Sequence, residues 1–343
     1  MKKILKCMMI FSLCITLLTG CANNRRNRIA YTIYPIGYLI ERIAGDVVQY
    51  QSIQKDIDVM VQNATIADNF EEILGRSQVL FHLGNLEPYL AIHQKEITAS
   101  GVQEEDLSVA NAVYDFARYT QKTNEEGETS FEQSPYYEGS EFDTVDITTK
   151  DLSLWLDPIA MLSMAEDICD WLVHQIPDQE ALFEKNFSTL QNELISLDAQ
   201  YLSFARAYQK NGQRIAFASM SSSFGNWQKA YGIEVYPIVL SMYGSLPTSS
   251  QLAEIEKILQ ENQVKYIAYE SNMSEQMIEL FNQVSADLDL KRVDLSNLSS
   301  LSAEEKSTGK DYFSIMYQNL VVLQSMIQAG EEIVEKNASE PAE

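Results

Sequence analysis

Apolar residues in this chain follow two alternating rhythms. Short apolar runs read as strands: IAYTIYP (29–35), buried and ended by Pro, then VLFHLG (79–84), RIAFAS (214–219), IEVYPIVL (233–240), VKYIAYE (264–270) and LKRVDL (290–295), with VQYQSIQ as a further one. Between them, IGYLIERIAGD, NFEEILGRSQ, LEPYLAIHQKEITASG, SSQLAEIEKILQENQ and SEQMIELFNQVSADLD space their apolar residues as helices do. Strands alternating with helices predict mostly parallel sheets flanked by helices, an α/β class. One stripe interrupts the alternation. Phe183, Phe187, Leu190, Leu194, Leu197, Tyr201, Phe204 and Tyr208 recur at steps of four and three. They predict a single rigid helix over 178–209, about 45 Å long at 1.5 Å per residue.

This helix divides the chain into an N-terminal α/β lobe (29–176) and a C-terminal α/β lobe (213–336), with a tail at 337–343. Within the first lobe, residues 121–150 are rich in acids and show no apolar periodicity. They read as a flexible, solvated surface loop or lid; weak capture of a hard cation by its carboxylates is the alternative.

The first residues carry an export signal. Lys2, Lys3 and Lys6 precede the apolar run at 7–18, which falls short of the ~20 residues a membrane span needs and suits a signal peptide. Leu18-Thr19-Gly20-Cys21 resembles the bacterial lipobox. That resemblance implies a signal peptide at 1–20, lipid attachment at Cys21, where acyl chains such as palmitate enter the bilayer, and a tether at 21–28. The expected location is the extracytoplasmic face of the cell membrane. Acyl chains hold a protein there at roughly 0.8 kcal/mol per buried methylene. Cys7 and Cys14 leave with the signal, so only Cys169 remains beside Cys21 and no internal disulfide is expected. Cys169 lies in a helical pattern and reads as core.

Charge narrows the partners. The 343 residues carry 49 acids against 25 bases, a net charge of -24. Loss of Lys2, Lys3 and Lys6 with the signal takes this to -27. Such a surface repels nucleic acid and anionic lipid headgroups, so binding to either is not expected. There is no G-x-S-x-G elbow and no Walker A sequence, and three histidines are too scattered to supply a general base. No enzymatic activity is expected.

Taken in order, IYPIGYLIERIAGD, VLFHLGNLEPYL, LSLWLDPIAMLSMAEDICDWL, SSSFGNWQKAYGI and DYFSIMYQNLVVLQ resemble segments of the zinc/manganese-binding lipoproteins of ABC importers, family 9 of the bacterial solute-binding proteins. The resemblance runs from about residue 29 to 325. It implies two α/β lobes joined by one helix, a metal ion held between them, and a membrane permease with a cytoplasmic ATPase as partners of a monomeric binding protein. The family's metal ligands are two histidines from the first lobe, a His or Glu at the start of the second, and a late Asp or His.

This chain departs from that set. The first-lobe loop contains no His: an ungapped count places Val61 at that position and a small gap places Asn63 there, and the next two ligand positions fall on Ser153 and Ser221. Asp294 alone retains a ligand type. His82 is a possible replacement ligand, with Asp68 and Glu270 as further polar groups near the cleft. Hydroxyls are poor zinc ligands beside imidazole, so zinc or manganese binding is expected to be weak or absent. Two readings follow. One is a solute-binding subunit that captures a metal ion or another small solute. The other is a degenerate member serving as an accessory or surface-interaction lipoprotein without metal.

Overall fold

The computed structural model describes residues 25, 27–56, 65–111, 113–124, 127–147 and 149–339. Residues 1–20, expected to be a signal peptide, together with Cys21 and Asn63, lie outside the described residues. The first lobe runs β1 (Arg28–Tyr31), α1 (Tyr34–Ala44), β2 (Gln49–Ser52), β3 (Gln54–Asp56), β4 (Thr65–Ile66), α2 (Phe70–Arg76), β5 (Val79–His82), α3 (Gln94–Ser100) and β6 (Gln103–Asp106). A hairpin follows, β7 (Arg118–Thr123) and β8 (Thr129–Ser134), then α4 (Pro158–Gln175) and the long α5 (Glu180–Lys210). The second lobe runs β9 (Ala216–Ser219), α6 (Gly225–Tyr231), β10 (Glu234–Pro237), α7 (Ser249–Glu261), β11 (Tyr266–Tyr269), α8 (Glu275–Asp287), β12 (Lys291–Asp294), α9 (Ala303–Ser307) and α10 (Tyr312–Ser339).

Each lobe is built on one parallel four-stranded sheet, ordered β2-β1-β5-β6 and β10-β9-β11-β12. Sequence polarity sets strand position. The inner strand VLFH of β5 is wholly buried, whereas the outer strands carry QEED and KRVD. Buried strands must be apolar on both faces, and charge on an edge discourages pairing with other chains.

The long helix ties the lobes together. Its buried stripe is Phe183, Leu190, Leu194, Leu197, Tyr201, Ala205 and Tyr208. Asn186 donates to the Ile43 carbonyl of α1 at 2.9 Å, and Arg42 of α1 pairs with Glu193. Farther along, the Tyr201 hydroxyl donates to the Met316 carbonyl at 2.7 Å and the Tyr208 hydroxyl to the Tyr231 carbonyl at 2.6 Å. One apolar core therefore runs from the first sheet, along α5, to Phe217, Trp227 and Tyr312 of the second lobe. A second core belongs to the second lobe.

Three local expectations are corrected. The segment read as a single helix after β5 is a 3-10 turn at Pro88–His93 followed by the shorter α3. The strand β6 carries no apolar residue and gave no hydrophobic signal. The segment read as a loose acidic loop of the first lobe is ordered and packs on the second. Phe116, Tyr136, Tyr137 and Phe142 are buried in the second lobe's own core. The Tyr137 hydroxyl donates to the Pro237 carbonyl at 2.9 Å, Gln228 donates to the Tyr136 hydroxyl at 2.6 Å, and Gln251 donates to the Glu141 carbonyl at 2.8 Å. Lys229 of α6 sits over the rings of Tyr119 and Phe131, 5.2 and 4.2 Å from their centres. The chain thus leaves the first lobe, straps the second, and returns to enter α4. Tyr137→Phe is expected to cost about 1–2 kcal/mol, because the buried Pro237 carbonyl loses its donor; urea unfolding measures it.

Candidate functional site

Binding crevices in α/β folds open at the carboxyl ends of the strands, and the described polar groups gather there. In the second lobe, Ser221 follows β9 and Glu270 follows β11. Glu270 is fully buried and Ser221 nearly so. The Ser221 hydroxyl donates to Glu270 Oε2, and the Ser221 amide donates to Oε1 at 2.9 Å. The Ser221 and Ser223 hydroxyls lie 2.8 Å apart. Asn297 Nδ2 reaches Ser223 Oγ at 3.0 Å and Glu270 Oε2 at 3.3 Å. Burial pushes the Glu270 carboxyl up to about 7, against the pull of these donors.

The segment before α4 approaches from the other side. Asp151 Oδ1 accepts the Ser153 amide at 3.0 Å, a local turn that fixes Ser153. The Ser153 carbonyl accepts from Asn226 Nδ2 at 3.0 Å. Burial pushes Asp151 up to about 6, opposed by the amides of Ser153 and Asn226. Glycine is required at position 225, since a Cβ there would lie 2.3 Å from Asp151 Oδ2. Two indoles complete the seam. Trp155 Nε1 donates to the Asn297 carbonyl at 2.6 Å, and Trp227 Nε1 donates to the Leu156 carbonyl at 3.1 Å. The Trp155 carbonyl accepts the Tyr312 hydroxyl at 2.7 Å. Asp157 caps α4 through the Ile159 amide, so the W-L-D-P run turns from seam into helix without a break.

Ser221 therefore belongs to a network that reaches the Trp155 indole through Ser223 and Asn297, and Ser153 stands two residues before Trp155 with its backbone held by Asp151 and Asn226. Asp294 does not join it. Its side chain is 62% exposed and pairs with Arg292, whose guanidinium lies over the Tyr269 ring. The strand alternation of β12 turns Asp294 outward while the next residue, Leu295, is buried. Asp68 is likewise exposed, paired with Lys55. His82 ends β5 and is nearly buried. Its Nδ1 accepts the Gly84 amide at 2.9 Å, and burial lowers its pKa, with Asp106 opposing. Beside it, Glu87 is buried, accepting from Leu83, Thr32 and Tyr89 at 2.7, 2.9 and 2.8 Å, and burial pushes it up to about 7. Among the described residues no three His, Cys, Asp or Glu side chains converge closely enough to hold a metal ion. The part played by Asp151 was not read from the sequence; an Asp two residues before a buried Ser is its only mark.

Two α/β lobes joined along one long helix, with polar side chains meeting at their seam, define the class of two-lobed, helix-linked α/β proteins. Residues 29–326 match the profile of the family described as zinc-uptake complex component A, periplasmic, ZnuA, and the chain belongs to that family. It is 25% identical over 353 residues to the zinc-binding lipoprotein AdcA of Streptococcus pneumoniae (strain ATCC BAA-255 / R6), covering 99% of this chain and 64% of that one. The chain thus spans less than two thirds of AdcA. It is 28% identical over 177 residues to the high-affinity zinc uptake system protein ZnuA of Bacillus subtilis (strain 168), 52% of this chain and 53% of the relative. Solved structures share the fold. The metal-dependent lipoprotein YcdH from Bacillus subtilis has a TM-score of 0.64 at 20% identity, covering 88% of this chain and 99% of its own. The periplasmic zinc binding protein TroA from Treponema pallidum has a TM-score of 0.67 at 16% identity, covering 87% and 98%. Among the described residues no helix is long and apolar enough to cross a membrane.

Proposed function

We propose that this protein is the extracytoplasmic, lipid-anchored capture subunit of a metal-type ABC importer. It holds a metal ion or another small solute between its lobes and presents it to a membrane permease driven by a separate cytoplasmic ATPase. It acts as a monomer and performs no covalent chemistry. The observation that carries this reading is the seam itself: Ser221, Glu270 and Asn297 form one buried polar network at the carboxyl edge of the second sheet, tied by the Asn297 carbonyl to Trp155 in the segment that holds Ser153. Membership of a zinc-uptake family supports zinc as the cargo class, with manganese as the neighbouring candidate by ligand chemistry. The common core along α5 supports small lobe movements on binding, not a wide hinge swing.

One buried carboxylate with hydroxyl neighbours is a poor transition-metal site. Calorimetry with zinc and with manganese is expected to give saturable binding weaker than about 1 μM. Glu270→Gln abolishes it, while Asp294→Ala leaves it unchanged because that side chain faces solvent. Complete absence of saturable heat would favour the second reading, an accessory or surface-interaction lipoprotein without metal. That reading draws on the lack of a converging ligand set among the described residues.

A further inference from the structure

We infer that the first lobe lies flat on the phospholipid surface through the face at the amino ends of its strands, held there by Arg25, Arg28 and Arg76. The inference rests on the anchor at Cys21 proposed above and adds an orientation to it.

Arg25 is the first described residue, and it is docked. Its Nε donates to the Gly75 carbonyl at 2.8 Å, Nη2 to the Ser100 carbonyl at 2.7 Å and Nη1 to the Gly101 carbonyl at 3.1 Å. These carbonyls close the carboxyl ends of α2 and α3, where the helix dipoles favour a cation. Helices antiparallel to the strands they cover end at the strands' amino edge, so this is the edge where the tether leaves the fold. Four residue steps separate Arg25 from Cys21, a reach of at most about 14 Å. A lipidated Cys21 cannot let this edge stray far from the headgroups.

Basic side chains gather at this edge, beside the acids Asp46 and Glu72. Residues 21–28, which lead into this edge, hold three arginines and no acid, in a mature chain of net charge -27. Arg28 and Arg76 line one surface cavity together with Gln49 and Asn69, and Arg76 shares its charge with Glu72 at 2.6 Å. Guanidinium and amide donors suit a headgroup phosphate. An arginine held within a Debye length of anionic lipid favours contact by about fivefold. The acidic remainder is repelled, which selects this edge over every other face.

The test uses the full chain, lipidated and reconstituted in phosphatidylcholine/phosphatidylglycerol vesicles that carry a headgroup quencher. Fluorophores are placed on Gln49→Cys, at the proposed contact edge, or on Ser250→Cys, at the start of α7 in the second lobe; both positions are exposed. Quenching at position 49 is expected to exceed that at 250 several-fold. The difference is expected to fall at high salt and with Arg28→Glu/Arg76→Glu. It is also expected to fall with a flexible Gly/Ser linker of about 20 residues inserted between Asn24 and Arg25, a variant that keeps every folded residue. Equal quenching at both sites on chains that float with the vesicles overturns the orientation and leaves the anchor standing. Chains that do not float overturn both.

Discussion

Trp155→Ala is expected to lower the stability of the folded chain by about 4 kcal/mol, the range for removing a fully buried tryptophan. Trp155 is wholly buried at the meeting of the two lobes. Its indole N–H is the donor to the Asn297 carbonyl, and its own carbonyl receives the Tyr312 hydroxyl. Truncation leaves a cavity that neighbouring rigid elements cannot close, and it also strands a buried carbonyl. The two costs separate with Trp155→Phe, which fills most of the volume and leaves the carbonyl without its donor. That variant is expected to lose about 1–3 kcal/mol. Urea unfolding of the three proteins at one pH decides the matter. A Trp155→Ala protein within 1 kcal/mol of the parent would mean that the seam contributes little and that the lobes are held by α5 alone.

The second large effect is on pH dependence. Glu87 and Glu270 are pushed up to about 7 and Asp151 to about 6, in each case by burial. Each folded value lies above its unfolded one, so the folded state binds more protons than the unfolded state between roughly pH 4 and 7. Stability must therefore fall as pH rises through that window and level off above the folded pKa values. A two-unit shift corresponds to about 3 kcal/mol per group. Self-repulsion in a chain of net charge -24 acts with the same sign. The melting temperature is expected to drop steadily from pH 5 to pH 8. Glu87→Gln should flatten that slope by about a third and raise stability at pH 8, since the amide keeps the Leu83 and Thr32 hydrogen bonds without the buried charge. A slope unchanged in Glu87→Gln would show that this carboxyl is not the one that titrates.

Long-range periodicity made the long helix and the central strands legible. Phe183 to Tyr208 and the run VLFH have few alternative explanations, because an apolar stripe of that length must be buried. The strap was illegible for the opposite reason. Tyr136, Tyr137 and Phe142 are isolated aromatics in acidic sequence, and their burial depends on Pro237, Gln228 and Gln251, about a hundred residues away. Strand β6 was illegible because an edge strand needs no apolar residue. At the site, the resemblance pointed to Ser153 and Ser221, and the fold buries both beside the seam, Ser221 against Glu270. Asp294, the residue of ligand type, faces solvent, because the alternation of a strand decides which way a side chain points. Glu270, one residue past a buried strand, is the carboxylate the fold delivers to the seam.

The strap also limits modularity. The half of the chain ending near residue 176 holds four aromatics that form part of the other half's interior, so the two lobes are interlaced in sequence although distinct in space. Exchanging one lobe for that of a relative would transplant these rings away from the surfaces shaped to receive them. The natural seam for recombination in this molecule therefore runs around residues 113–150, and not through the helix that visibly joins its two parts.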